Sequence, residues 1–374
     1  MTQRFARPQR AVVKVGSSSL RGVDGRLDTA QVTNLATQIC AARARGTQVV
    51  LVSSGAVAAG MGLLGMTRRP HDVATLQAAA AVGQSEVIQT YQRAFALDNT
   101  TAGQVLLGQD DFTRRNRYLN AKQSLLRLLE LGAVPIINEN DAIATDELTY
   151  GDNDHLAALV TTMLDADLLV LLSDVDGLFD GDPRRPGAQL INQVDDVAAL
   201  DAATIGGTGS FVGSGGMQTK VSSATVAVSS GRHAVIANAR RPEVIRDVLA
   251  GEPVGTWFVA QSRHTEARRL WIAFALAPRG QITIDDGAVV ALTTRGSSLL
   301  SVGVKAVAGG FVSGDAVEIV TVDDTVVARG IVAYDAGDLE KICGMSTDDA
   351  AQIFGAGFAR EVIHRDDLVL TQLT

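Results

Sequence analysis

Five short apolar runs punctuate the first two-thirds of the chain: AVVKV (11–15), QVVLV (48–52), AVPIIN (133–138), DLLVLL (167–172) and HAVIA (233–237). None alternates with polar residues as a half-exposed strand would, so each is predicted to be a strand covered on both faces. Between the first two lies LDTAQVTNLATQICAARARG, whose Val32, Leu35, Ile39 and Ala42 share one helical face. Asp28 is placed to cap that helix and Gly46 to stop it. Strand–helix–strand repetition of this kind predicts an α/β fold, an open, mainly parallel sheet flanked by helices. The texture changes near APRG (277–280). Beyond it, QITIDDGAVVAL, SLLSVGVKAVAG, FVSGDAVEIV and TVVARGIVAY are strand-like runs broken by Gly and Asp, which predicts a small all-β domain. The expected division is a first domain over 1–257, a linker over 258–280, and a second domain with a C-terminal tail over 281–374.

The predicted strands end in polar residues. VVKV runs into GSSS, VVLV into SSGA, PII into NENDA and LLVLL into SDVDG. Ligands of open α/β sheets bind beyond the carboxyl ends of the strands, so these ends deliver Gly, Ser, Asn and Asp to one edge. Caps and turns alone account for one such end more easily than for four. Lys14 stands inside an apolar strand just before Gly16-Ser17. It either reaches past the strand end to solvent or faces an anion, and the glycine and serine after it favour the anion. VSSGAVAAG (52–60) reads as a strand entering a helix N-terminus, where free amides can serve as an anion site or simply be capped by serine. NENDAIA (138–144) and GDNDHLAAL (151–159) gather Asn138, Asn140, Asp141, Asp152, Asn153 and Asp154, more carboxylates and amides than capping requires.

GSGGMQTK (213–220) pairs a Gly/Ser-rich approach with a lysine, yet Thr219 precedes Lys220, the reverse of a Walker A loop. No Gly-x-Ser-x-Gly elbow surrounds the serines. The five histidines, His71, His155, His233, His264 and His364, show no metal-ligand spacing, so no protein zinc site is expected, while the Asn/Asp cluster could receive an ammonium group, orient lysines or hold a hydrated Mg²⁺. Two lysines, a Gly-rich segment, carboxylates and no covalent nucleophile suit direct phosphoryl transfer, in which catalysis is mostly positioning and charge neutralisation.

Composition narrows this further. A length of 374 residues suits one large and one small domain, and a 46% hydrophobic content fills a sizeable core. A net charge of −8 opposes binding to nucleic acid or anionic membrane surfaces. Two distant cysteines, Cys40 and Cys343, fit a reducing compartment, and no run approaches the ~18 apolar residues of a membrane span, so a cytoplasmic location is expected.

VVKVGSSSL, VSSGAVAAG, AAVGQ (80–84), YLNA (118–121), PIINENDAIA, GDNDHLAALV, SDVDGLF and GSGGMQTK together resemble the amino acid kinase family, and ITIDDGA with RGSSLL resembles a PUA domain. The likeness covers essentially the whole chain. It is most specific to the branch that phosphorylates the side-chain carboxylate of L-glutamate with ATP, the first step of proline synthesis. It implies that Lys14 and Lys220 act on the ATP phosphates and that Asp154, with Asp152, orients them. It further implies that Ser54, Asp141 and Asn153 contact glutamate, and that Ser173, Asp174 and the segment Ser214, Gly215, Gly216, Met217, Gln218, Thr219 and Lys220 line the nucleotide. Mg²⁺ with ATP, feedback by proline and a homo-oligomer (tetramer or dimer) are implied too. Aspartate and acetylglutamate kinases would share Lys14 and the Gly-rich segment, but are not expected to combine NENDA, GDND and a PUA-like tail. A PUA-like domain also raises RNA binding. Against that, residues 281–357 carry four basic residues (Arg295, Lys305, Arg329, Lys341) and eleven acidic ones.

Overall fold

The computed structural model describes residues 7–22, 26–108, 110–113, 115–143, 152–184, 187–200, 216–261 and 278–370. The chain forms two compact units, Met1–His264 and Thr265–Thr374. The first is built on an eight-stranded sheet of order β3-β4-β2-β1-β5-β7-β8-β6. Its strands are β1 (Arg10–Val15), β2 (Gln48–Ser53), β3 (Ala102–Leu107), β4 (Val134–Glu139), β5 (Leu168–Ser173), β6 (Gln193–Val194), β7 (His233–Asn238) and β8 (Thr256–Phe258). Neighbours pair in parallel except β7 with β8. All five strands predicted from unbroken apolar runs are present, each within a residue or two of the predicted limits. β5 is buried at every position, as a strand covered on both faces must be.

β3 was not predicted. It is an edge strand buried only at its two ends, Ala102 and Leu107, and the apolar run VLL in its TAGQVLLG context is too short to mark a strand. β6 and β8 are two and three residues long, too short for any periodicity to show.

The helices relevant to the site are α1 (Thr29–Ala44), α2 (Ala56–Leu63), α3 (Val73–Ala96), α4 (Asp110–Thr113), α5 (Arg115–Glu130), α6 (Asp152–Met163) and α7 (Met217–Ser229). Asp28 caps α1 by accepting from the Gln31 amide at 3.0 Å, and Val32, Leu35, Ile39 and Ala42 form its buried face. Asp72 caps α3 in the same way through Thr75, at 2.8 Å. α2 and α3 meet backbone to backbone. A Cβ on Gly60 would lie 1.8 Å from the Ala79 carbonyl oxygen, and one on Gly83 would lie 1.8 Å from that of Ala56. Only glycine fits at either position.

The second unit holds a five-stranded sheet, Gly280–Ile284, Val304–Gly309, Ala316–Val320, Val326–Ile331 and Leu368–Leu370, mixed but mainly antiparallel. Part of the strand-like pattern here becomes helix. DGAVVAL forms a helix over Asp286–Arg295 because Asp285 caps it through the Ala288 amide at 2.8 Å and Gly296 ends it at φ 60°. Short helices at Ala336–Ile342 and Thr347–Phe354 add Leu339, Ile342 and Ala350 to the same core. Short apolar runs do not by themselves separate buried helix from strand. Among the described residues no helix is long and apolar enough to cross a membrane.

Candidate active site

β1 ends in the middle of the sheet, and its side chain Lys14 points under the start of α6. Lys14 is 4% exposed, and its Nζ lies 2.5 Å from Oδ1 of Asp154, which is fully buried. The other carboxylate oxygen, Oδ2, receives Lys220 Nζ at 3.1 Å and the Thr219 hydroxyl at 3.2 Å. Lys220 is 6% exposed and belongs to the first turn of α7. Thus three segments far apart in sequence meet on one carboxylate. Two ammonium groups share that carboxylate, which leaves the trio one positive charge in excess and suited to a polyanion. Burial pushes the Lys14 ammonium below its ordinary pKa, and Lys220 adds to the fall while Asp154 opposes it. Burial alone would raise Asp154, but the two lysines outweigh it and hold its carboxyl below the usual range.

The helix start at α7 follows from Gly216, its N-cap. The first-turn amides of Met217 and Gln218 therefore have no carbonyl of their own helix to bond, while Thr219 N–H bends back to the Gly216 carbonyl at 3.1 Å. The sequence suggested a phosphate loop here; in the structure Met217 to Lys220 are helical, with the amide end and the lysine on one turn. Ser214 and Gly215 lie outside the described residues. Asp152 is the first residue of α6.

Beside this trio lies an amide and hydroxyl network. Asn153 Nδ2 donates to Ser54 Oγ and to Asn138 Oδ1, both at 3.0 Å. Asn138, at 3% exposure, also accepts from the Glu139 amide at 2.9 Å. Ser54 N–H donates to the Val15 carbonyl at 3.2 Å, which ties the end of β2 to the end of β1. Gly55, at φ 110°, turns the chain into α2 and is the one residue type that takes this conformation without strain. Asp141 opens a 3-10 turn, Asp141–Ile143, immediately after β4. Ser173 closes β5, buried, and its hydroxyl bonds the exposed Asp174 carboxylate at 3.2 Å.

The structure therefore joins Lys14, Asp154 and Lys220 directly, and Ser54 with Asn153 directly. Two contributors, Asn138 and Tyr91, were not singled out from the sequence as site residues, and the role of a third, Thr219, was not foreseen. Asn138 was seen only as one of a polar cluster; its hub position depends on α6 lying across β4. Tyr91 is wholly buried in α3 and bonds the Ser53 hydroxyl at 3.2 Å; a tyrosine on an apolar helix face gives no sequence signal for that. Thr219 was noted only as part of the Gly-rich segment, and its contact with Asp154 needs the helical turn. Among the described residues no three His, Cys, Asp or Glu side chains gather as a metal site would.

The amino acid kinase family pattern matches residues 9–238 and that of the PUA domain residues 280–354. The chain is 50% identical over 371 residues to a glutamate 5-kinase of Salinispora arenicola (strain CNS-205), covering 99% of this chain and 100% of that protein. A glutamate 5-kinase of Thermobifida fusca (strain YX) is 48% identical, with 98% of this chain and 94% of the relative aligned. One from Stutzerimonas stutzeri (strain A1501) is 46% identical, with 99% and 100% aligned. Among solved structures, a UMP kinase from Bacillus anthracis superposes with a TM-score of 0.49 at 16% identity, over 69% of this chain and 98% of that one.

Proposed function

The chain belongs to the amino acid kinase family, and on that premise we propose that it transfers the γ-phosphoryl group of ATP to the side-chain carboxylate of L-glutamate. The products are ADP and L-glutamyl 5-phosphate, which begins proline synthesis. The observation that carries this reading is the Lys14–Asp154–Lys220 trio, buried at the ligand edge of the sheet in a chain alike over its full length to glutamate 5-kinases. Lys14 and Lys220 hold the charge that builds on the transferring group and leaving oxygen, and Asp154 fixes both ammonium groups. The α7 amides and Lys220 receive phosphate oxygens. Gly216 supports this: among the described residues the atom nearest to a Cβ at this position would be the Gln218 nitrogen at 4.0 Å, which leaves room for a phosphate to approach the backbone. Mg²⁺ would come with the nucleotide and supply neutralisation of the phosphate charge that the two lysines share. By the same kinship, proline is the feedback inhibitor and the protein is a homo-oligomer.

On the acceptor side, Ser54 offers a neutral hydroxyl donor to the α-carboxylate of glutamate, Asn153 joins it by giving up one of its two Nδ2 bonds, and Asp141 offers an anion to its ammonium. Asp141→Asn keeps size and removes charge, which costs roughly 1.5–3 kcal/mol for a charge-assisted bond. The expected result is a ~10- to 150-fold fall in kcat/KM for glutamate with the KM for ATP nearly unchanged. A variant that weakens ATP and leaves glutamate alone would move Asp141 to the metal-nucleotide side. The reading as a whole is checked by coupled ADP release with glutamate, aspartate, acetylglutamate and carbamate offered separately. Turnover with glutamate should exceed the others; preference for any other acceptor overturns it.

The domain division proposed is the kinase unit over 1–257 and the PUA-like unit over 281–374, joined by 258–280. The phosphate-handling side chains all precede residue 221, so the second unit takes no part in the chemistry. Its acidic balance also argues against RNA as its partner.

A further inference from the structure

We propose that Thr256 and Asn238 are positioning residues for the nucleotide: from behind the sheet edge they set the turn that follows β5. The proposal rests on the reading that Ser173 and Asp174 line the nucleotide site. That turn, Asp174 to Leu178, is held by two other strands. Asn238 closes β7 as the register partner of Ser173. Its Nδ2 donates to Asp176 Oδ1 at 2.9 Å, and its Oδ1 is fixed by the Arg240 amide at 2.9 Å. The Ala239 amide donates to the Ser173 carbonyl at 2.8 Å.

Thr256 grips the far end of the turn. It is fully buried, and its Oγ1 accepts from the Leu178 amide at 2.7 Å. Gly177 presses on the same hydroxyl, since a Cβ there would come within 2.6 Å of it. The reversal of β8 explains how Thr256 reaches this place. Parallel strands end at the ligand edge, but β8 runs antiparallel to β7 and so begins there. Gly255 makes the reversal possible at φ 68°, where any Cβ would stand 2.1 Å from the Ile236 carbonyl oxygen. Leu178 N–H is thus paired by a hydroxyl buried away from solvent, and Thr256 acts from behind the turn rather than from its surface. Loss of the hydroxyl strands a buried donor, and the turn must move to find another partner.

Thr256→Val keeps the shape and removes the bond. Steady-state kinetics should show a KM for ATP raised roughly 5- to 50-fold, an unchanged KM for glutamate, and kcat at saturating ATP within about twofold. Thr256→Ser should behave as wild type, and Asn238→Ala should shift ATP in the same direction. A general packing defect would raise both KM values together, and that result overturns the proposal. So does an unaltered KM for ATP in folded Thr256→Val. If the valine variant does not fold, the half-buried Asn238→Ala decides by the same criterion. Asp174→Ala separates the two layers. No effect of it on ATP retracts the nucleotide assignment, whereas an effect there with none from Thr256 or Asn238 retracts only the positioning role.

Discussion

Lys220→Ala and Lys14→Ala are each expected to lower kcat for glutamate phosphorylation at least ~10²-fold, by the scale of losing one group aimed at developing charge in a water-poor site. The fold should survive either change, for a reason visible in the charge balance. Two ammonium groups share one carboxylate, so deleting one leaves Asp154 with a single cationic partner and a neutral pair. The missing charge is felt when the phosphates arrive. Turnover at saturating substrates, with a thermal melt beside it, checks this. Near-normal kcat in either variant removes that lysine from the mechanism, while a collapsed melt would make the loss structural.

Asp154→Asn is expected to do the opposite: it strikes stability as hard as activity. Two buried ammonium groups would then face each other with no anion, and breaking a buried ion pair from one side costs about 3–5 kcal/mol. Denaturant unfolding should record a loss of that size, partly restored by ATP, whose phosphates supply the negative charge. The pH profile adds an independent reading. Lys14 must be protonated to bind phosphate, and its pKa is already lowered in the free protein. The alkaline limb of kcat/KM for ATP should therefore fall at lower pH than an ordinary lysine would give. Asp154 is the group that opposes this lowering, so Asp154→Asn moves the limb lower still. A wild-type unfolding curve with an unmoved limb would show that Asp154 neither balances nor tunes the lysines.

Much of this site was legible in the residues because backbone geometry places strand ends together whatever the details. Lys14 could be read from the cost of a lysine in an apolar strand, and Asp154 from an excess of carboxylates at a helix start. What could not be read are contacts set by how one layer lies on another. Asn138 becomes a hub only because α6 crosses the end of β4. Tyr91 reaches Ser53 only because α3 is held against α2 by paired glycines. Thr256 reaches Leu178 only because a three-residue strand reverses direction, which no pattern of three residues can announce. In the second unit the helix at Asp286–Arg295 turned on one capping carboxylate within a run equally suited to a strand.

The strand order has a consequence for how the molecule is made. β1, which precedes the other seven strands of this sheet in sequence, lies between β2 and β5 in the interior of the finished sheet. Its lysine stays without a carboxylate until α6 has been synthesised, and without its fellow lysine until α7 has followed. A nascent chain lacking these helices holds an apolar strand whose lysine has no carboxylate to be buried against. Assembly waits on distant partners, with the loop-closure cost that such pairings carry. Until those partners are in place the unit's apolar strands stay uncovered, the condition in which partly folded chains tend to aggregate.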